Sequence, residues 1–140
     1  MNGFWRGKGQ AEDVVTLLDG IKAKVSENTR VRFAEGSGLE SIDKKQLRKA
    51  VKLAKKSDVV ILAVGEDADK TGESASRTSI KLYPAQQALV KAIHETGTPV
   101  VMVLMNGRPL AIEWSAEHIP SILNAWLLGS EAGNAIADVL

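Results

Sequence analysis

Apolar residues recur along this chain with two different periods. Between 12 and 25 they fall at Val14, Leu17, Leu18, Ile21 and Val25, which is one face of a helix. Between 43 and 56, Leu47, Ala50, Val51 and Ala54 repeat that spacing, and Asp43 followed by Gln46 reads as a capping box at the start. The period then changes. Residues 58–65, Asp-Val-Val-Ile-Leu-Ala-Val-Gly, are apolar on both faces and β-branched, as in a strand buried within a parallel sheet. Residues 99–105 predict a second such strand, 121–126 a weaker one, and Val31-Arg32-Phe33-Ala34 a short one closed by Gly36-Ser37-Gly38. Pro84 suits the first turn of a helix that carries Leu89, Val90 and Ile93 and stops at Gly97. A short helix is expected near 113–118. A last one opens after Gly129-Ser130-Glu131-Ala132-Gly133 and is still running at Leu140.

Strands that alternate with amphipathic helices connect by right-handed crossovers and form a parallel sheet covered on both faces. The expected fold is therefore α/β, a three-layer αβα sandwich with a mostly parallel sheet. Four strands are narrow for that class, and the last helix has no cap, so the sandwich reads as truncated. In such sheets ligands meet the loops at the carboxyl ends of the strands. Here those loops are 66–82, 106–109 and 127–133. The first is about as long as loops become without a function of their own.

Composition narrows the function classes. The chain has 140 residues, enough for one ordinary domain, and 44% hydrophobic with 25% charged residues is globular composition. Its 18 basic and 17 acidic residues give a net charge of +1, with the lysines scattered over helices, so no field for nucleic acid is expected. The absence of cysteine excludes disulfides and thiolate zinc sites but leaves the compartment open. No apolar run approaches the roughly 18 residues of a membrane span. Met1-Asn2-Gly3-Phe4-Trp5 does not read as a secretory leader, which for a fragment says nothing of where the parent resides. Asp67-Ala-Asp69-Lys-Thr71-Gly72 superficially matches the start of a calcium loop, yet its twelfth position is Thr78 rather than glutamate, so no metal is expected. The 129–133 segment lacks both the lysine of a phosphate loop and the three-glycine dinucleotide spacing.

Four segments in register carry a resemblance. Asp58 to Glu66 with Thr71-Gly72-Glu73-Ser74-Ala75-Ser76-Arg77-Thr78 is similar to the second domain of family 3 glycoside hydrolases. So are Pro99-Val-Val-Met-Val-Leu-Met-Asn-Gly-Arg-Pro-Leu110, Ala125-Trp126-Leu-Leu-Gly-Ser-Glu-Ala-Gly-Asn-Ala-Ile-Ala-Asp138, and the opening Gly3-Phe4-Trp5 with Gly20-Ile21-Lys22. The likeness spans essentially all of 1–140. It implies a partial C-terminal α/β-sandwich domain that begins after that domain's first strand and stops before its end. In that family an N-terminal barrel supplies an aspartate nucleophile, and the second domain lends a loop glutamate as general acid/base. The barrel is absent here, so the chain is expected to be inactive alone.

Residue by residue, the resemblance places the acid/base at Glu73, with Ser74 standing where many relatives have glycine. Such a group must be protonated to release the leaving oxygen and ionised to activate water. A loop carboxyl reaching a neighbouring domain's site, with its pKa raised by burial there, can do both. Glu66 is the alternative acid or a brace of the loop, and Arg77 is expected to pin the loop through carboxylate or carbonyl bonds. Trp5 matches an aromatic that flanks the leaving-group subsite in some members, where an indole stacks on a sugar, but a packing role is equally open. Asn106-Gly107-Arg108-Pro109 is expected to shape a turn and an interdomain contact, Trp114 and Trp126 to pack, and His94 and His118 to lie on the surface.

The resulting expectation is one domain of a retaining exo-β-glycosidase, first of all a β-glucosidase acting on β-linked glucosides, with no cofactor. Its partners would be the barrel of its own parent and the sugar substrate, with no nucleic acid and no membrane. A free sheet edge leaves room for a homodimer, and the parent is expected in the periplasm or secreted. The alternatives are a carbohydrate-binding or interaction module without catalysis, a nucleotide-binding domain, and β-xylosidase specificity.

Overall fold

The computed structural model describes residues 9–140. Gly3-Phe4-Trp5, and with it the Trp5 expectation, lies outside the described residues. The elements are α1 (Leu17–Lys24), α2 (Lys44–Ala54), β1 (Val60–Gly65), α3 (Pro84–His94), β2 (Val100–Met105), α4 (Glu113–His118), β3 (Ser121–Asn124) and α5 (Ala132–Val139). The three strands form one sheet of order β1-β2-β3, parallel throughout.

The strand register sorts the core into two layers. Leu62 pairs with Met102 and Val64 with Leu104, and Met102 pairs with Ile122. These side chains share one face with Ala50 and Ala54 of α2 and Leu89, Val90 and Ile93 of α3. The alternate residues, Ile61, Val103, Met105 and Leu123, face the other way and meet Leu17 of α1 and Ile136 of α5. Met102, Val103 and Val90 are fully buried. Each such side chain contributes roughly 1.5–3 kcal/mol. Helices thus pack on both faces of an apolar sheet, which is the αβα sandwich, with Ala63 of β1 left exposed on the α1 and α5 side.

α1 and α5 cross at glycine. A Cβ on Gly20 would lie 2.2 Å from the Gly133 carbonyl oxygen, and one on Gly133 would lie 2.1 Å from that of Thr16. The same crossing explains why α1 starts later than the apolar pattern predicts. Val15 donates to the Ser130 carbonyl and accepts from the Gly133 N–H, which holds residue 15 out of helical bonding. Thr16 is left as the N-cap, its hydroxyl oxygen accepting from the Asp19 N–H.

Several expectations need correction. Val31-Arg32-Phe33-Ala34 is not a strand: it has no ladder partner among the described residues, and Phe33 is 71% exposed. The sheet therefore has three strands. β3 ends at Asn124, and Trp126 is no packing residue, being 43% exposed in the left-handed region with φ 54°. The capping box at α2 is half formed. Asp43 accepts from the Lys45 and Gln46 N–H groups, whereas the Gln46 amide turns away to Glu35.

Candidate functional site

β1 and β2 are neighbours and parallel, so the residues that follow them emerge side by side at the same edge of the sheet. Gly65 allows the approach. Its φ of 147° is open to glycine, and a Cβ there would lie 1.8 Å from the Met105 carbonyl oxygen. The ladder extends one residue further, with the Glu66 N–H donating to that carbonyl at 2.8 Å. Gln86, near the start of α3, accepts from the Gly65 N–H through its side-chain oxygen.

The Glu66 carboxylate is therefore turned inward, and its side chain has no exposed surface. Arg77 Nη1 donates to Glu66 Oε1 at 2.7 Å. Arg108 Nε lies 3.0 Å from the same oxygen, a close ionic contact whose angle falls short of a hydrogen bond. The Gly107 N–H donates to Oε2 at 3.4 Å. A buried carboxylate is tolerable only with such partners, since an uncompensated one costs several kcal/mol. Arg77 also donates to the Lys81 carbonyl at 2.9 Å and stacks 4.2 Å over the Tyr83 ring. Lys81 in turn pairs with Ala111 in a single parallel bridge. The long loop is thereby tied to the sheet edge from both of its ends.

Glu73 stands apart from this cluster. It is exposed, at the tip of the loop, in a turn closed by the Ala75 N–H donating to the Gly72 carbonyl at 3.3 Å. Ser74, next to it, has φ 61°, the left-handed region that glycine or asparagine usually occupies. Asp67 accepts from the Ala68 N–H and starts a short 3-10 helix, Ala68–Lys70, within the segment read as loop. The structure thus brings Glu66 and Arg77 together and holds Glu73 in solvent on the same loop. Among the described residues, no three His, Cys, Asp or Glu side chains converge as a metal site would need. No described helix is long and apolar enough to cross a membrane.

Arg108 does more than the turn-shaping and interdomain contact that the sequence suggests for its segment: its guanidinium Nη2 donates to the Ala75 carbonyl at 2.9 Å and also to the Lys70 carbonyl. The available signal was an arginine placed directly after a buried parallel strand, where a planar fork can reach the neighbouring strand's loop. Asn106, fully buried, closes that turn by donating from Nδ2 to the Arg108 carbonyl. The histidines gather elsewhere, on α3 and α4. The Trp114 and His118 rings stack at 4.2 Å, and His94 meets both edge-on.

The family model described as glycosyl hydrolase family 3 C-terminal domain matches residues 1–140. A protein named beta-xylosidase from Formosa agariphila is 46% identical over 126 residues, covering 90% of this chain and 17% of that protein. A periplasmic beta-glucosidase of Salmonella typhimurium is 37% identical, with 99% of this chain and 21% of that protein covered. The crystal structure of a beta-glucosidase from Listeria innocua in complex with gluconolactone superimposes with a TM-score of 0.88 at 33% identity, over 99% of this chain and 19% of that one. The chain thus spans about a fifth of the length of the curated relatives it matches. It belongs to the family of glycosyl hydrolase family 3 C-terminal domains.

Proposed function

We propose that this chain is the acid/base-bearing domain of a retaining exo-β-glycosidase, with Glu73 as the acid/base. The observation that carries the reading is an exposed carboxyl at the tip of a loop whose base is anchored, through Glu66 and its arginines, at the carboxyl end of the strands, where parallel sheets meet their ligands. Exposure lets Glu73 reach a sugar bound on a neighbouring domain, and the anchored base lets it do so from a fixed position. Glu66 is then a brace rather than an acid, because its side chain is internal, is held by two guanidinium groups and has no path to substrate.

In this mechanism an aspartate from the barrel of the longer parent attacks the anomeric carbon. Glu73 gives its proton to the departing oxygen as that bond breaks. The covalent glycosyl-enzyme is then hydrolysed by a water whose proton Glu73 takes back, with the two carboxyl groups about 5–5.5 Å apart in the assembled site. The chain alone has no nucleophile and is inactive by itself. No cofactor is needed. Trp5 would stack on the leaving-group sugar, and the partners are the parent's own barrel and a β-linked glucoside. A periplasmic or secreted parent is in keeping with the Salmonella relative's name. The outer edge of β1, with Val59 half exposed beside it, would pair with a second copy when the domain is isolated.

A β-xylosidase specificity is the second reading, favoured by the 46% identity to the Formosa protein. Sugar identity is decided on the barrel, so a comparison of aryl β-glucoside and aryl β-xyloside turnover by the parent distinguishes the two. The acid/base role is tested in the same parent by Glu73→Ala. Turnover of a phenyl glycoside should collapse, and azide should accelerate turnover of a dinitrophenyl glycoside. Unchanged turnover would make Glu73 an ordinary loop carboxylate.

A further inference from the structure

Arg108 makes contacts that a turn residue does not need. Its Nη2 donates to the carbonyls of both Lys70 and Ala75, which bracket the segment 71–74 that contains Glu73. Its Nε rests 3.0 Å from the fully buried Glu66 carboxylate, and its own side chain is only 22% exposed. One planar group therefore holds both ends of the Glu73 turn and refers them to a fixed internal charge. The match between the two loops continues beside it. Thr71 is buried against Gly107, where a Cβ would lie 1.9 Å from the Thr71 hydroxyl oxygen. The Gly107 N–H faces Glu66 as well.

We propose that Arg108 is a positioning residue for Glu73: by clasping Lys70 and Ala75 it sets where the acid/base carboxyl stands relative to the glycosidic oxygen. The proposal rests on the reading of Glu73 as the acid/base. The turn it holds needs such a clamp, since Ser74 is kept at a positive φ and the only backbone bond across 72–75 is a long one of 3.3 Å. Lysine cannot replace the fork. A single ammonium on a flexible stem does not span two carbonyls and a carboxylate with fixed geometry. Proton donation depends steeply on placement, so losing the clamp should slow only those substrates whose leaving group must be protonated.

The test uses the longer parent enzyme and a pair of aryl β-glycosides, phenyl and 2,4-dinitrophenyl, of whichever sugar it turns over faster. Arg108→Lys and Arg108→Ala should each lower kcat/KM for the phenyl glycoside by about 10- to 100-fold. The dinitrophenyl glycoside, which departs without a proton, should fall by no more than about threefold. Added guanidinium ion should restore part of the phenyl activity to Arg108→Ala. Arg108→Lys carries the test if the alanine variant does not fold. Equal losses on both substrates, or wild-type behaviour of Arg108→Lys, would overturn the clamp. Glu73→Ala with azide is run alongside. If azide rescues that variant while the Arg108 losses are equal, the clamp is wrong and Glu73 keeps its role; if azide does not rescue it, both fall together.

Discussion

Glu66 and Arg77 are joined at 2.7 Å through a carboxylate that has no exposed surface. Ion pairs in solvent contribute little, but removing one member of a buried pair strands the other. Glu66→Ala leaves two guanidinium groups, 13% and 22% exposed, without their counter-charge. A loss of roughly 3–5 kcal/mol is expected in urea unfolding. Glu66→Gln keeps a hydrogen-bond acceptor and should lose less. If both variants unfold like the wild type, the carboxylate is not what anchors the loop.

Ser74 sits at φ 61° beside Glu73. A left-handed conformation costs an L-residue with a Cβ about 1–2 kcal/mol, part of which glycine gives back through its freer unfolded chain. Ser74→Gly should therefore raise stability by about 0.5–1 kcal/mol, read as a higher urea midpoint at unchanged slope. A lower midpoint would mean that the serine hydroxyl supports the turn by more than its backbone costs.

The α1–α5 crossing should tolerate no added atom. A Cβ on Gly20 meets the Gly133 carbonyl, which is backbone and cannot swing aside. Gly20→Ala gains helix propensity of about 1 kcal/mol but forces the helices apart, and overpacking costs about 1–3 kcal/mol. Net destabilisation in thermal unfolding is expected. A stabilised variant would show that the two helices can separate freely.

Asp43 links folding to pH. Its carboxyl is held below the usual carboxylate range first by the Gln46 backbone N–H, then by that of Lys45; desolvation opposes them, and the charges of Lys45 and Lys49 add smaller support. A depressed folded pKa means that its contribution is present in full above the unfolded value of about 3.9 and disappears as pH falls through the folded one. The stability gap between wild type and Asp43→Ala should thus be constant between neutrality and about pH 5, then close on further acidification. A gap that persists in strong acid would assign Asp43 a role independent of its charge.

Legibility followed the range of the interactions. The helices α2 and α3 and the strands β1 and β2 are written in local period and composition, and each lies within a few residues of its expected place. Val31 to Ala34 has strand composition too, but a strand exists only through a neighbour, and composition says nothing of that. The start of α1 was hidden for a similar reason: residue 15 is claimed by Ser130 and Gly133, more than a hundred positions away. In the site, the positions of Glu66, Glu73 and Arg77 on one loop could be seen in the chain. The internal burial of Glu66 and the grip of Arg108 on Lys70 and Ala75 could not, because both arise only when β1 and β2 lie side by side.

The central claim, that Glu73 is the acid/base of a retaining glycosidase, is tested most directly by the product that the longer parent makes when Glu73 is alanine and azide is supplied. Azide fits the space of the missing carboxyl and attacks the glycosyl-enzyme from that side. The account predicts a β-glycosyl azide, identified by the anomeric proton coupling in its NMR spectrum. Release of free sugar at the wild-type rate with no azide adduct, or an α-glycosyl azide, would contradict it.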